Sequence, residues 1–156
     1  MYVDLELAKM KIFEALREDH DKQRSLLNIL AETSGDTEVR REYFQQLKDE
    51  LESHAVAEER HFYSPLMQSD SAVELSRHGI AEHHEIDELV ETLDNTDMSS
   101  PASLTHLKTL KEKVEHHLAD EEKEFFQVAG SVLSEADKDE LARDYRKEID
   151  KEHEKH

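Results

Sequence analysis

The sequence predicts an all-α protein, specifically an antiparallel up-down-up-down four-helix bundle with an additional C-terminal helix. Its 156 residues include only three Gly and two Pro, which favours long uninterrupted helices over a turn-rich β fold. Apolar residues recur at three- and four-residue spacing in four long segments. Short polar loops separate these segments, and short loops make consecutive helices antiparallel neighbours.

Local signals place the helix boundaries. Ser71 with Glu74, and Ser134 with Asp137, have the spacing of capping boxes at two helix starts. Pro101 suits the first turn of another helix. The final segment is almost wholly charged, so we expect a solvated helix outside the core. The predicted helices cover about residues 5–32, 37–62, 71–93, 100–130 and 134–155.

We therefore divide the chain into a bundle, residues 1–130, and a charged C-terminal helical extension, residues 131–156. The formal charge is −19, from 20 Lys and Arg against 39 Asp and Glu. Such an acidic surface repels nucleic acid and anionic membranes, so we expect neither as a partner. The start lacks a signal-peptide pattern, and no stretch approaches the about 18 apolar residues of a membrane span, so we expect a cytoplasmic protein.

The absence of cysteine limits the chemistry that the chain can perform. Without Cys there is no disulfide, no thiolate nucleophile, no iron–sulfur cluster and no Cys-type zinc site. Any metal must therefore be held by nitrogen and oxygen atoms. The 11 histidines and the many carboxylates supply both kinds of ligand.

The chain repeats itself at an offset of 63 residues, and the apolar stripes of the second and fourth helices repeat together. A duplicated two-helix unit is the simplest account of this pattern. The matched pairs are His20 with His83, His54 with His117, Glu58 with Glu121, Glu59 with Glu122, Phe62 with Phe125, and Tyr63 with Phe126.

The helical register places six of these polar residues on the buried stripes. His54 and Glu58 interrupt the apolar seam of the second helix between Leu51 and Phe62. The fourth helix repeats the same steps, and the first and third helices contribute one histidine each. The residues of this predicted layer are His20, His54, Glu58, His83, His117 and Glu121.

Two carboxylates buried in a bundle repel each other and cost several kcal/mol unless something positive lies between them. Four imidazoles and two carboxylates match the needs of two metal cations. Imidazole together with carboxylate favours iron, manganese or zinc over magnesium or calcium.

These residues resemble the hemerythrin-like HHE cation-binding family over roughly residues 10–130. The resemblance rests on Asp19-His20, on HAVAEE beginning at His54, on EHHEI beginning at Glu82, and on HLADEE beginning at His117. It implies a four-helix bundle with a non-haem centre of two iron ions, oxo- or hydroxo-bridged, with manganese or zinc as second choices. It also implies that Glu58 and Glu121 bridge the irons and that the four histidines are terminal ligands.

The chain departs from the oxygen-carrying members of that family at two points. They have a further histidine where this chain has Gly79, and they place the last carboxylate five residues after its histidine, where this chain has four. One iron would then keep an open or water-filled position, or Asp87 would fill it. We favour Asp87 as a hydrogen-bond acceptor for an imidazole instead.

Other residues near the motifs receive plainer interpretations. We interpret Asp19 and Glu82 as capping or surface charges, and His84 and His116 as solvated. Tyr63 is interpreted as core packing that could offer a hydroxyl near the site.

Three functional hypotheses follow. The first is a di-iron protein that binds or senses a small ligand, namely O₂, NO or peroxide, or that handles iron. The second is a di-iron enzyme that decomposes peroxide or carries out an oxidation. The third is a metal-free helical interaction module. The sequence leaves the oligomeric state undetermined.

Overall fold

The computed structural model describes residues 10–156, and every regular element in that range is helical. The predicted start of the first helix at residue 5 lies outside the described residues. Two segments, Glu59–Tyr63 and Glu121–Phe125, are π-helical and continue the helices that precede them. The α-helices are α1 (Ile12–Ala31), α2 (Glu38–Glu58), α3 (Ser64–Leu66), α4 (Val73–Asp94), α5 (Pro101–Asp120), α6 (Phe126–Val132) and α7 (Glu135–His153).

Helices α1, α2, α4 and α5 form the predicted antiparallel bundle. α1 packs against α2, and α4 packs against α5, so each predicted repeat is one helical pair. α7 returns along the outside of the first pair and contacts both α1 and α2. None of the described helices contains an 18-residue apolar stretch of the kind that spans a bilayer.

The apolar core is divided into two clusters. One cluster includes Ile12, Leu16 and Phe62, and the other includes Leu27, Leu47 and Leu110. In α1 the buried residues between Leu16 and Leu27 are Asp19, His20 and Gln23. Each of the other helices of the bundle also changes from one cluster to the other at polar residues. A layer of polar side chains therefore crosses the middle of the bundle.

One π-helical turn begins directly after Glu58, and the other begins at Glu121, so each starts at a buried glutamate of this layer or at its neighbour. A π turn contains one residue more than an α turn, so it shifts the phase of the helix that follows. This shift lets two consecutive aromatic residues face inward: Phe62 and Tyr63 are each 0% exposed, and Phe125 and Phe126 are 3% and 5% exposed.

Two predictions about helix ends and surfaces have different outcomes. The capping box at Ser134 is confirmed, because its hydroxyl accepts from the backbone N–H of Asp137 and the Asp137 carboxylate accepts from that of Ser134. The capping box at Ser71 is wrong, because α4 begins at Val73 with no side-chain cap. The expectation that the last helix lies outside the core is also wrong, since Tyr145 is 1% exposed.

Candidate metal centre

The six residues predicted from the sequence lie together in the middle of the bundle. Each of them is at most 6% exposed, so none faces bulk solvent. α1 and α4 each supply one histidine, α2 supplies His54 and Glu58, and α5 with its π turn supplies His117 and Glu121. Four imidazoles and two carboxylates therefore share one enclosed space.

The imidazoles turn the same ring atom toward this space. Nε2 of all four histidines lacks a hydrogen-bond partner among the described residues, and so do both oxygens of Glu58. Glu58 Oε1 lies 3.0 Å from Nε2 of His83 and 3.3 Å from Nε2 of His54. Glu121 Oε1 lies 3.2 Å from Nε2 of His20, and its Oε2 lies 3.7 Å from Nε2 of His117.

These atoms fall into two overlapping groups, each compact enough to surround an ion. In the described part of the chain, one group contains His20, His54, Glu58 and Glu121, and the other contains Glu58, His83 and His117. The ligand atoms of each group all lie within 4.8 Å of one another. Glu58 belongs to both groups, which places it between the two positions.

Outward-facing hydrogen bonds fix the orientation of three imidazoles. The carboxylates of Glu122, Glu59 and Glu82 accept from Nδ1–H of His20, His83 and His117 at 2.7, 2.8 and 2.8 Å. An ionised carboxylate accepts only, so in the neutral imidazole the proton lies on Nδ1 and the lone pair of Nε2 faces inward. This tautomer is the one in which Nε2 coordinates a metal.

The fourth imidazole, His54, has a different outer partner. Its Nδ1 lies 2.6 Å from the hydroxyl of Tyr145 on α7, and that hydroxyl donates to Asp19. Asp19 corresponds to Glu82 in the 63-residue repeat but is one methylene shorter. Its carboxylate stops 3.9 Å from Nδ1 of His54, and the Tyr145 hydroxyl bridges that gap.

Tyr63 occupies the place that Gly79 leaves free. A Cβ at Gly79 would lie 2.5 Å from Cζ and 2.6 Å from the oxygen of the Tyr63 phenol, so a side chain larger than hydrogen does not fit there. The Tyr63 hydroxyl donates to Glu121 Oε2. Its counterpart in the repeat, Phe126, has no hydroxyl, so this hydrogen bond exists on one side of the centre only.

The contacts among these carboxylates and imidazoles shift their pKa values when no metal is bound. Burial by itself lowers the pKa of His83, but the nearby carboxylates of Glu58 and Glu59 outweigh it and raise that pKa to about 9. The hydrogen bond from His117 lowers the pKa of Glu82 to about 2. Burial, together with repulsion from Glu58, raises the pKa of Glu121.

Some sequence interpretations were wrong. Asp19 and Glu82 are each 4% exposed and lie behind imidazoles, so they are neither caps nor surface charges. Asp87 is exposed and makes no hydrogen bond to an imidazole within residues 10–156, so its favoured role as acceptor is also wrong. His84 is exposed as expected, and the His116 side chain is 66% exposed.

Sequence reasoning missed five outer partners: Glu59, Glu122, Asp19, Glu82 and Tyr145. The repeat contained a signal for four of them, because Glu59 pairs with Glu122 and Asp19 pairs with Glu82 at the 63-residue offset. Tyr145 lies outside the repeat, in a charged segment, and no local pattern points to it.

A buried layer of imidazoles and carboxylates in a four-helix bundle defines a helical metal-binding protein. Residues 11–129 match the model of the hemerythrin HHE cation binding domain, and the chain belongs to that family. The crystal structure of a hemerythrin HHE cation binding domain-containing protein from Mycobacterium kansasii is similar, with a TM-score of 0.85 and 23% sequence identity, over 94% of this chain and 89% of that chain. This likeness shows a shared fold. No curated protein matches the chain significantly.

Replacing Tyr145 tests the bridge between Asp19 and His54. Tyr145→Phe should lower the free energy of unfolding of the metal-free protein by about 1–3 kcal/mol, because it leaves buried polar groups without a partner. Adding Asp19→Glu should restore much of this loss, since the longer side chain can reach His54 as Glu82 reaches His117. Urea unfolding of the wild type and the two variants measures both effects. Equal stability of the single and double variants would contradict the bridge.

Stability should depend on pH differently with and without metal. In the metal-free protein His83 keeps its proton up to about pH 9, whereas the unfolded chain loses it near the ordinary pKa of 6.5. The stabilisation is therefore complete below pH 6.5 and is lost as the pH rises through about 9. Metal binding requires a neutral imidazole, so this residue should make the loaded protein more stable as the pH rises to about 6.5 and should leave its stability level between 6.5 and 9. Urea unfolding with chelator and with ferrous iron measures both dependences, and an equal loss of stability between pH 6.5 and 9 in the two forms would contradict this prediction.

Proposed function

We propose that the chain is a non-haem di-iron protein that binds or senses a small ligand, namely O₂, NO or peroxide. The metal ligands in this proposal are His20, His54, Glu58, His83, His117 and Glu121. The observation that carries it is the set of four inward-facing Nε2 atoms without hydrogen-bond partners among the described residues. Buried polar atoms are nearly always satisfied, so a set that points into one space fits a bound cation.

The donor set favours two ions of an intermediate metal over one hard cation. Each of the two overlapping groups combines imidazole nitrogen with carboxylate oxygen, and Glu58 is shared between them. Such mixed ligands suit iron, with manganese and zinc as second choices, better than calcium or magnesium. Family membership supports cation binding, and the choice of iron is our inference from the ligand chemistry.

The number of donors leaves room for a ligand. Four imidazole nitrogens and at most four carboxylate oxygens serve both ions, whereas two six-coordinate ions need about twelve donors. Iron bound there would supply coordination to a diatomic molecule or peroxide, and electron exchange with it. The chain's own part is to orient the imidazoles, to exclude bulk water from a layer at most 6% exposed, and to hold the Tyr63 hydroxyl proton at Glu121.

Tyr63 also supports the second hypothesis, an enzyme that decomposes peroxide. Among residues 10–156 it is the one hydroxyl that donates to a central carboxylate, Glu121, and a proton held at that point could serve O–O bond cleavage. The metal-free interaction module has no comparable support, because it leaves the inward-facing imidazoles unexplained.

Metal content tests the proposal directly. The wild type, loaded with ferrous iron and desalted, should hold about two irons per chain, and His83→Ala and Glu58→Gln should each hold substantially less. His84→Ala is the matched control, because it removes the adjacent, exposed imidazole and should leave the iron content unchanged. Elemental analysis gives the ratio, and a chelator should lower the melting temperature of the wild type but not of Glu58→Gln. A wild type that holds no stoichiometric metal would overturn the proposal.

Oxygen release separates a binding protein from a peroxide-decomposing enzyme. We expect a binding protein to release at most about one O₂ per di-iron centre after addition of excess hydrogen peroxide, and an enzyme to release many. An oxygen electrode measures the yield. If release is catalytic, Tyr63→Phe should reduce its rate while leaving the iron content intact. Catalytic release by the wild type would favour the enzyme over our leading proposal.

A further inference from the structure

The enclosed centre needs a route through which ligands and metal reach it. One surface groove, about 640 Å³, includes Glu18, Asp49 and His153 but none of the six central residues. Two smaller cavities do touch the centre. His117 lines both of them, and they differ in size and in the character of their walls.

The wider cavity lies between α4 and α5 at Gly79, and we name it the Gly79 pocket. It has a volume of about 60 Å³, and His117 and Glu121 form part of its lining. Both side chains are 3% exposed, and each has an atom, Nε2 or Oε1, without a hydrogen-bond partner in the described part of the chain. A cavity needs about 10–15 Å³ to hold one water molecule, so the pocket has room for a molecule of a few heavy atoms.

The other cavity is too narrow to compete. Its volume is about 10 Å³, which is near the lower limit for a single water molecule. Apolar side chains, Leu51 and Ile86, form much of its wall. The Gly79 pocket therefore offers the wider path to the unsatisfied atoms.

The walls of the Gly79 pocket are acidic. Asp120 and Glu124 lie at its rim, and Glu82 and Glu121 lie deeper. His78 is 3.4 Å and Lys113 is 3.5 Å from Glu82, and His116 pairs with Asp120 at 3.0 Å. At neutral pH the carboxylates outnumber these cations, and the chain as a whole carries a charge of −19. A cleft lined by one sign of charge raises the local concentration of opposite charges and lowers that of like charges.

We propose that the Gly79 pocket is the access route to the centre, and that its charge admits divalent cations and small neutral molecules in preference to anions. The neutral class contains O₂, NO and hydrogen peroxide, whereas azide and superoxide belong to the disfavoured class. This inference rests on the proposed function, since it assumes a metal in the centre. It adds to that function the position of the access route and the charge of the ligands that the route favours.

The wild type gives the first test through the effect of salt on rates. In the iron-loaded protein the rate of azide binding, followed by the visible spectrum, should rise with ionic strength, because salt screens the repulsion. The rate of NO binding should not change, because NO is neutral. Uptake of ferrous iron by the metal-free protein should slow with ionic strength. An azide rate that falls or stays constant would overturn the charge selection.

A pair of double variants locates the path. Asp120→Asn with Glu124→Gln removes two rim charges and should accelerate azide binding by about three- to tenfold at low salt. The control, Glu88→Gln with Glu91→Gln, makes the same change in net charge at exposed positions of α4, about 13 to 18 Å along the helix from Gly79. NO binding should be the same in all three proteins. Equal azide rates in the two double variants would overturn the Gly79 route.

The outcomes separate this inference from the proposed function. A wild type that binds iron and azide, with no difference between the rim variant and the control, contradicts the route alone. A wild type that takes up no iron contradicts the proposed function, and the route is then wrong with it. Elemental analysis of every sample before the rate measurements identifies which case applies.

Discussion

The structure depends on how two buried carboxylates are tolerated in the core of a helical bundle. Glu58 and Glu121 lie in the same layer and would repel each other in an apolar surrounding. In the metal-free protein four imidazoles surround them, and the nearby carboxylates raise the pKa of His83, so a proton on this imidazole offsets part of the negative charge. In the proposed function a cation would take the place of that proton. The two apolar clusters pack on either side of the layer and keep its side chains in position.

Much of the fold and the centre could be predicted from the sequence. Helical spacing and the scarcity of Gly and Pro gave the bundle, and the 63-residue repeat identified the six central residues. These predictions succeeded because a buried stripe is a strong periodic signal, and because duplication makes each functional residue appear twice. Their role as metal ligands stays a prediction.

The features that the sequence did not predict depend on contacts between distant segments. The π turns Glu59–Tyr63 and Glu121–Phe125 change the helical phase. A constant helical period therefore cannot indicate which residues face inward beyond them. Tyr63 reaches the centre because Gly79, on another helix, leaves space for its ring. Tyr145 was assigned to solvent because its neighbours are charged, yet it is buried against α1 and α2. In each case the decisive partner is far away in the chain.

The outer partners also bear on how a duplicated unit diverges. Two identical helical pairs assembled as a symmetric dimer would give both metal positions the same surroundings. Here Glu82 contacts its imidazole directly, while Asp19 needs a hydroxyl from a helix that belongs to neither copy. In this single chain the two halves differ, because Tyr145 of the appended helix contacts the imidazole of His54, while His117 pairs with Glu82 directly. If two irons fill the centre, as proposed, an added electron would meet two unequal sites, and a residue outside the repeat would contribute to the difference between them.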